Sequence, residues 1–209
     1  ILGNPPFIAK QDQSKEQKSD MVSVFGKLKG AGELDYVSAW YKKAGEYIQN
    51  TNIKGAFVST NSITQGEQVG VLWNELIIKH GIRIHFAHRT FKWTNEAPGR
   101  AAVHCVIIGF ASYAPKQPHL WDYDSETGES KEIWVKNINP YLVDADNIII
   151  LARRKPISDV PEARFGSMPN DNGFLLFADA KSKDEFIAKE PRAEKYIRPL
   201  ISAREYLNG

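Results

Sequence analysis

Ile1-Leu2-Gly3-Asn4-Pro5-Pro6-Phe7 opens the chain as a short apolar strand end running into a stiff turn. Each proline fixes φ near −65° and removes a backbone N–H, so the carbonyls and the Asn4 amide face outward as acceptors without competing local donors. Phe7 sets a flat apolar face beside them. Such a cluster suits a planar ring bearing an exocyclic amine, with the amine donating to the Asn4 side-chain oxygen and the Pro5 carbonyl while the ring stacks on Phe7. A proline-rich surface turn is the commoner use of a Pro-Pro pair, so the rest of the chain has to decide.

Downstream, Lys10 to Gly32 is polar, with Lys10, Lys15, Lys18, Lys27 and Lys29 as its cations. Its length and position predict a mobile substrate loop with at most a helical turn around Met21 to Phe25; a solvated loop without a role is the equal alternative. From Leu34 the period changes. Leu34, Val37, Tyr41, Ala44 and Ile48 mark one helical stripe, stopped at Asn50-Thr51-Asn52. Gly55 to Thr60 reads as a buried strand, and Val69, Leu72, Trp73, Leu76 and Ile77 line a second helix ending near His80-Gly81. Ile82 to Phe91 and Ala101 to Phe110 read as two strands joined by the turn-rich residues 94–99. This alternation is that of an open α/β sheet, whose ligands gather at the carboxyl ends of its strands.

After Phe110 the composition shifts towards Pro, Gly and acidic residues, and short strands are expected only at Glu132 to Val135 and Ile148 to Leu151, before a helix at Lys183 to Ala188. A domain boundary is placed near Ser112, dividing 1–112 from 113–209. The second region carries Arg153-Arg154-Lys155, Arg164 and the aromatics Phe165, Phe174 and Phe177, a mixture that suits contact with phosphates and bases. Surface charge over ordinary core aromatics explains the same composition, and on composition alone it is the better account.

A net charge of +2 leaves nucleic acid open as a partner, because the local patch decides. The lone Cys105, inside an apolar run, leaves no disulfide or zinc framework and fits a reducing, cytoplasmic setting. Five histidines lack a metal-ligand pattern, so no metal site is expected. Asp35 reads as a favourable charge at a helix N-terminus rather than a catalytic acid. No stretch has the apolar length of a membrane helix. The chain opens without Met on a strand end, as an excised fragment would.

The order of these features resembles the DNA amino-methyltransferases, and within them the MmeI-like restriction–modification proteins. Asn4-Pro5-Pro6-Phe7 resembles the family's catalytic motif at the carboxyl end of the fourth sheet strand. Residues 30–37 resemble the motif after it, Phe57 to Ser62 the next strand, and Ala101 to Phe110 the last. Residues 118–123, 139–142, 165–169 and 195–199 resemble the start of the family's DNA target-recognition domain.

The resemblance implies a class I, Rossmann-like α/β sheet over 1–112, then a linker and the first part of a mixed α+β recognition domain over 113–209. It implies N6-adenine methylation of double-stranded DNA with S-adenosylmethionine as donor. Asn4, Pro5, Pro6 and Phe7 would form the catalytic turn, with Phe7 stacking on a flipped adenine and either Phe91 or Trp93 closing the slot. Lys27, Lys29, Arg153, Arg154 and Lys155 are candidate DNA contacts. The Gly-rich motif that grips the donor is missing from this sequence, so no donor-binding residue is named and the isolated chain is expected to be inactive. Mg2+ is expected only for a nuclease part. A non-catalytic DNA-binding module, or a methyltransferase acting on RNA or on a protein glutamine, is the alternative.

Overall fold

The chain builds one sheet from β1 (Leu2–Gly3), β2 (Gly55–Thr60), β3 (Arg83–Trp93), β4 (Val103–Ala111), β5 (His119–Tyr123) and β6 (Ser130–Trp134). In this computed structural model the described residues are 1–93, 103–125, 127–153, 155–156, 158–161 and 172–208. The strand order is β1-β2-β4-β3-β5-β6. β1 runs parallel to β2 and β3 parallel to β5, while β4 is antiparallel to both its neighbours and β6 to β5. The fold is therefore α/β with a mixed sheet, as the alternation of helix and strand patterns predicts.

Helices α1 (Lys15–Phe25), α2 (Ser38–Tyr47) and α3 precede β3; α3 begins as an α turn at Gly66–Gln68 and continues as a π-helix over Val69–Lys79. α2 and α3 cover one face of the sheet. There Phe57, Ile108 and Ala87 form one register row across β2, β4 and β3, and all are buried. The Tyr41 ring of α2 sits 5.2 Å from Phe57, 5.4 Å from Phe110 and 5.9 Å from Trp73 of α3. Buried polar tips in this cluster are satisfied: the Tyr41 and Ser59 hydroxyls lie 2.7 Å apart, and Trp73 Nε1 donates to the Ile63 carbonyl at 2.8 Å. On the opposite face a Cβ at Gly109 would fall 2.0 Å from the Phe86 ring. Only glycine lets that ring lie flat across β4.

One ionic cluster is buried between α2 and α3. Glu75 Oε1 accepts from Lys79 Nζ at 2.8 Å and lies 3.3 Å from Lys42 Nζ, and Lys42 also pairs with Glu46. Glu75 and Lys42 are each only 5% exposed.

The polar segment after the turn is not a loop. Residues 15–25 form α1, opened by a capping box in which Ser14 and Gln17 each accept from the other's backbone N–H. Two turns of this helix anchor to the core through Met21 and Phe25. Nor is Ile148 to Leu151 a strand: Ile148 and Ile150 are exposed while Ile149 packs on the core, so the alternation is real but no neighbouring strand pairs with it. The composition shift after Phe110 falls between β4 and β5, two strands of one sheet.

The chain divides into two compact units, Ile1–Arg154 and Lys155–Gly209. The second contains α4 (Ala180–Lys189), a 3-10 turn at Pro191–Tyr196 and α5 (Ala203–Asn208). Its ring contact between Phe177 and Phe186 is 5.2 Å, yet no described residue in it is buried. Residues 94–102, which include the expected turn, and 162–171, which include Arg164 and Phe165, lie outside the described residues.

Candidate active site

The turn begins where β1 ends. Leu2 and Gly3 pair with Ala56 and Phe57 of β2, and the Ala56 N–H donates to the Ile1 carbonyl at 2.8 Å. Pro5 is buried, which seats the turn; Asn4 and Pro6 are exposed and Phe7 is half-buried. Among the described residues no hydrogen bond engages the Asn4 side chain or the Pro5 carbonyl, and no aromatic ring contacts Phe7. Among the described residues the turn therefore holds acceptors without a hydrogen-bond partner, beside a ring without an aromatic neighbour. Beside it lies an open cavity of about 900 Å³ whose lining includes Gly3, Asn4, Pro5, Tyr36, Trp40 and Phe57.

The chain leaving the turn is stitched to the entrance of α2. The Tyr36 N–H donates to the Ile8 carbonyl at 2.9 Å, and Gln13 Nε2 donates to the Leu34 carbonyl at 3.0 Å. Between them the Lys10 N–H donates to Asp35 Oδ1 at 3.3 Å, and the Lys10 ammonium pairs with Glu33, which raises its pKa. Asp35 is 6% exposed, and its other oxygen accepts from the Thr60 hydroxyl at 3.3 Å and from the Ser62 hydroxyl. Sequence reading gave Asp35 only a helix-end role. A buried carboxylate needs partners, and its partners here lie 25 to 27 residues away, where no local pattern could reveal them.

Phe91 and Trp93 stand at the end of β3. Because β4 is antiparallel to both β2 and β3, that end lies on the same edge of the sheet as Asn4 and Thr60, with β2 and β4 between. Their rings are 6.1 Å apart, and Phe91 is 5.1 Å from Tyr123 of β5. The register thus gathers Phe7, Phe91 and Trp93 on one edge without ring contact between Phe7 and the other two. A second group escaped the sequence reading: the His88 ring stacks on Trp121 at 4.6 Å and 9°, and its Nδ1 lies 2.8 Å from the Tyr123 hydroxyl. Burial lowers the His88 pKa and favours the neutral ring.

Lys27 and Lys29 are exposed in the link between α1 and the 3-10 turn Ala31–Glu33. Arg153 and Lys155 are exposed as well, and Arg154 lies outside the described residues.

Comparison with known proteins matches residues 1–122 to the MmeI DNA-methyltransferase domain and residues 144–209 to the MmeI target recognition domain. DNA methyltransferase A of Bacillus subtilis (strain 168) is 48% identical over all 209 residues, which make up 23% of that protein. The Type IIL restriction–modification enzyme MmeI, solved in complex with DNA, superposes on the whole chain with a TM-score of 0.90 at 54% identity, over 28% of its own length. The chain thus spans about a quarter of each relative's length.

Proposed function

The chain belongs to the MmeI DNA-methyltransferase family, and from that premise we propose that its Asn4–Phe7 turn clamps the target base of an N6-adenine methyltransferase acting on double-stranded DNA. The observation that carries this reading is the exposed Asn4 amide, free of hydrogen bonds among the described residues, next to a half-buried Phe7 with no aromatic partner, at the carboxyl edge of the sheet. The described residues fit the acceptor half of the reaction, and each step argued here belongs to the acceptor amine. S-adenosylmethionine, when bound, supplies an electrophilic methyl group, the electron pair of its methyl–sulfur bond staying with the departing thioether.

An adenine inside a duplex hides its N6, so the base must leave the stack at a cost of a few kcal/mol. Stacking on Phe7, worth about 1 to 3 kcal/mol, offsets part of that cost. The two N6 hydrogens then donate to Asn4 Oδ1 and the Pro5 carbonyl. Held this way, the nitrogen directs its lone pair out of the ring plane. As the N–C bond forms, positive charge develops on N6, both acceptors stabilise it, and the acidified N–H releases its proton to solvent. No strong base is required.

The test is made on the whole protein with labelled donor offered in parallel to duplex DNA, RNA and cell protein, followed by nucleoside and amino-acid analysis. Label in N6-methyladenine is expected; label in RNA or in protein glutamine, or duplex binding without transfer, overturns the assignment. In the same assay Phe7→Ala should lower transfer about 5- to 150-fold more than duplex affinity, the range set by one lost stack. Equal loss of both counts against a stacked, flipped base.

Arg153 and Lys155, with Arg154 between them in sequence, supply the phosphate contacts in this reading, and Lys27 and Lys29 a second exposed basic pair in the link after α1. Removing one phosphate contact should weaken all sequences alike and reduce the slope of log affinity against log salt by about 0.9. Arg153→Ala is the variant to measure, and an unchanged slope returns Arg153 to the solvated surface.

A further inference from the structure

We propose that Asp35 is a positioning residue for the catalytic turn, acting through the backbone N–H of Lys10; the proposal rests on the acceptor role given to Asn4 and Pro5. The turn is a short span hung between two anchors. On one side the turn follows directly on β1, whose Leu2 and Gly3 pair with β2. On the other side the chain runs along the α2 entrance, and among the described residues Asp35 is the side chain there that ties it to a third element.

The geometry makes that tie rigid. Oδ1 takes the Lys10 N–H, while Oδ2 takes the Thr60 and Ser62 hydroxyls, which also lie 2.8 Å from each other. The Asp35 N–H in turn donates to Gln68 Oε1 at the start of α3, at 3.1 Å. The buried carboxylate therefore joins the segment leaving the turn to the carboxyl end of β2, and the backbone N–H of the same residue ties both to the start of α3. The carboxylate is buried and bonds to the chain three residues past Phe7, so its effect passes through the backbone rather than through contact with a base. The flanking bonds, Tyr36 to Ile8 and Gln13 to Leu34, are backbone or amide contacts that hold the segment along α2 without referring it to the sheet edge.

The Lys10 N–H can be deleted alone. Lys10 opens a 3-10 turn, where proline is tolerated, and Ala9 has ψ 154°, the extended conformation that a residue before proline prefers. Lys10→Pro removes the N–H and the ammonium; Lys10→Ala removes only the ammonium and its exposed pairing with Glu33. The whole protein is assayed under single-turnover conditions at saturating donor and duplex, on a synthetic duplex carrying the sequence that the wild type methylates. Duplex affinity and 2-aminopurine fluorescence at the target position are read beside the rate.

Lys10→Ala should stay within about fivefold of wild type, as expected of an exposed ion pair. Lys10→Pro should lower the rate about 10²-fold, the cost of small misplacement of reacting groups, with duplex affinity and base unstacking retained. Asp35→Asn keeps an acceptor for the Lys10 N–H, and both hydroxyls can turn to accept from its amide, so its rate should exceed that of Asp35→Ala. Equal rates for Lys10→Pro and Lys10→Ala, or parallel loss of rate and duplex affinity, overturn the positioning role. If Asn4→Ala also leaves transfer intact, the reading of the turn itself fails; if Asn4→Ala abolishes transfer and Lys10→Pro does not change it, only the role of Asp35 fails.

Discussion

Asn4→Ala is expected to reduce methyl transfer by about 10² to 10³-fold, the effect of removing one preorganised group that stabilises transition-state charge. The charge here is positive and develops on the acceptor amine, so the stabilising partner is an oxygen. The Pro5 carbonyl remains in the variant, which is why the loss should stop short of complete. Protein stability should change by no more than about 0.5 kcal/mol, because Asn4 is exposed and, among the described residues, hydrogen-bonds to nothing. That combination separates a chemical role from a structural one: unfolding midpoint and duplex affinity stay in place while the rate falls. Asn4→Asp retains an acceptor oxygen and should keep more activity than Asn4→Ala. A rate for Asn4→Ala within about threefold of wild type would remove the turn from the chemistry, since an acceptor in use at the transition state cannot be that cheap.

The same turn shows what a sequence can and cannot disclose. Its place at the end of a strand was legible because the two prolines that follow Asn4 fix their own φ and cannot continue one. The stripe Leu34, Val37, Tyr41, Ala44 and Ile48 was legible because every member is buried, although the helix proper starts only at Ser38. α1 was not, since just Met21 and Phe25 of its eleven residues are buried and its outer face is polar. The signal that could have found it is the box Ser14-Lys15-Glu16-Gln17, a helix start written in four residues. At Ile148 to Leu151 a strand was expected and none formed, because the segment lies against a helix, with Ile150 and Leu151 packed over Gly70 of α3. β5 escaped as a member of the first sheet for a different reason: its parallel pairing with β3 joins residues more than 30 positions apart and leaves no local trace. Asp35 combines both difficulties, a local pattern with an adequate bland explanation and distant partners that overrule it.

Glu75→Ala is expected to destabilise the protein by about 3 to 5 kcal/mol, the cost of breaking a buried ion pair by removing one partner. Lys42, 5% exposed, would keep only Glu46, whose side chain is 48% exposed, so its ammonium would be buried with half its compensation gone. Lys79→Ala is the control: its side chain is 65% exposed, and the change should cost less than about 1 kcal/mol. The dependence on pH has a definite sign. Burial pushes the Glu75 carboxyl up, but the hydrogen bonds from Lys79 and Lys42 outweigh it and leave the pKa below the ordinary value. A carboxyl depressed in the folded state binds its proton more readily when unfolded. Its stabilisation is therefore complete above the unfolded pKa of about 4.3 and is lost as pH falls through the lower, folded value. The stability gap between wild type and Glu75→Ala, read from urea unfolding midpoints, should be flat near neutrality and begin to narrow as the medium becomes more acidic than pH of about 4.3. Replacing the pair together, Lys42→Met with Glu75→Leu, removes both desolvated charges at similar volume and should cost less than Glu75→Ala alone. A double variant as unstable as the single one would mean that the cluster's contribution is packing rather than charge.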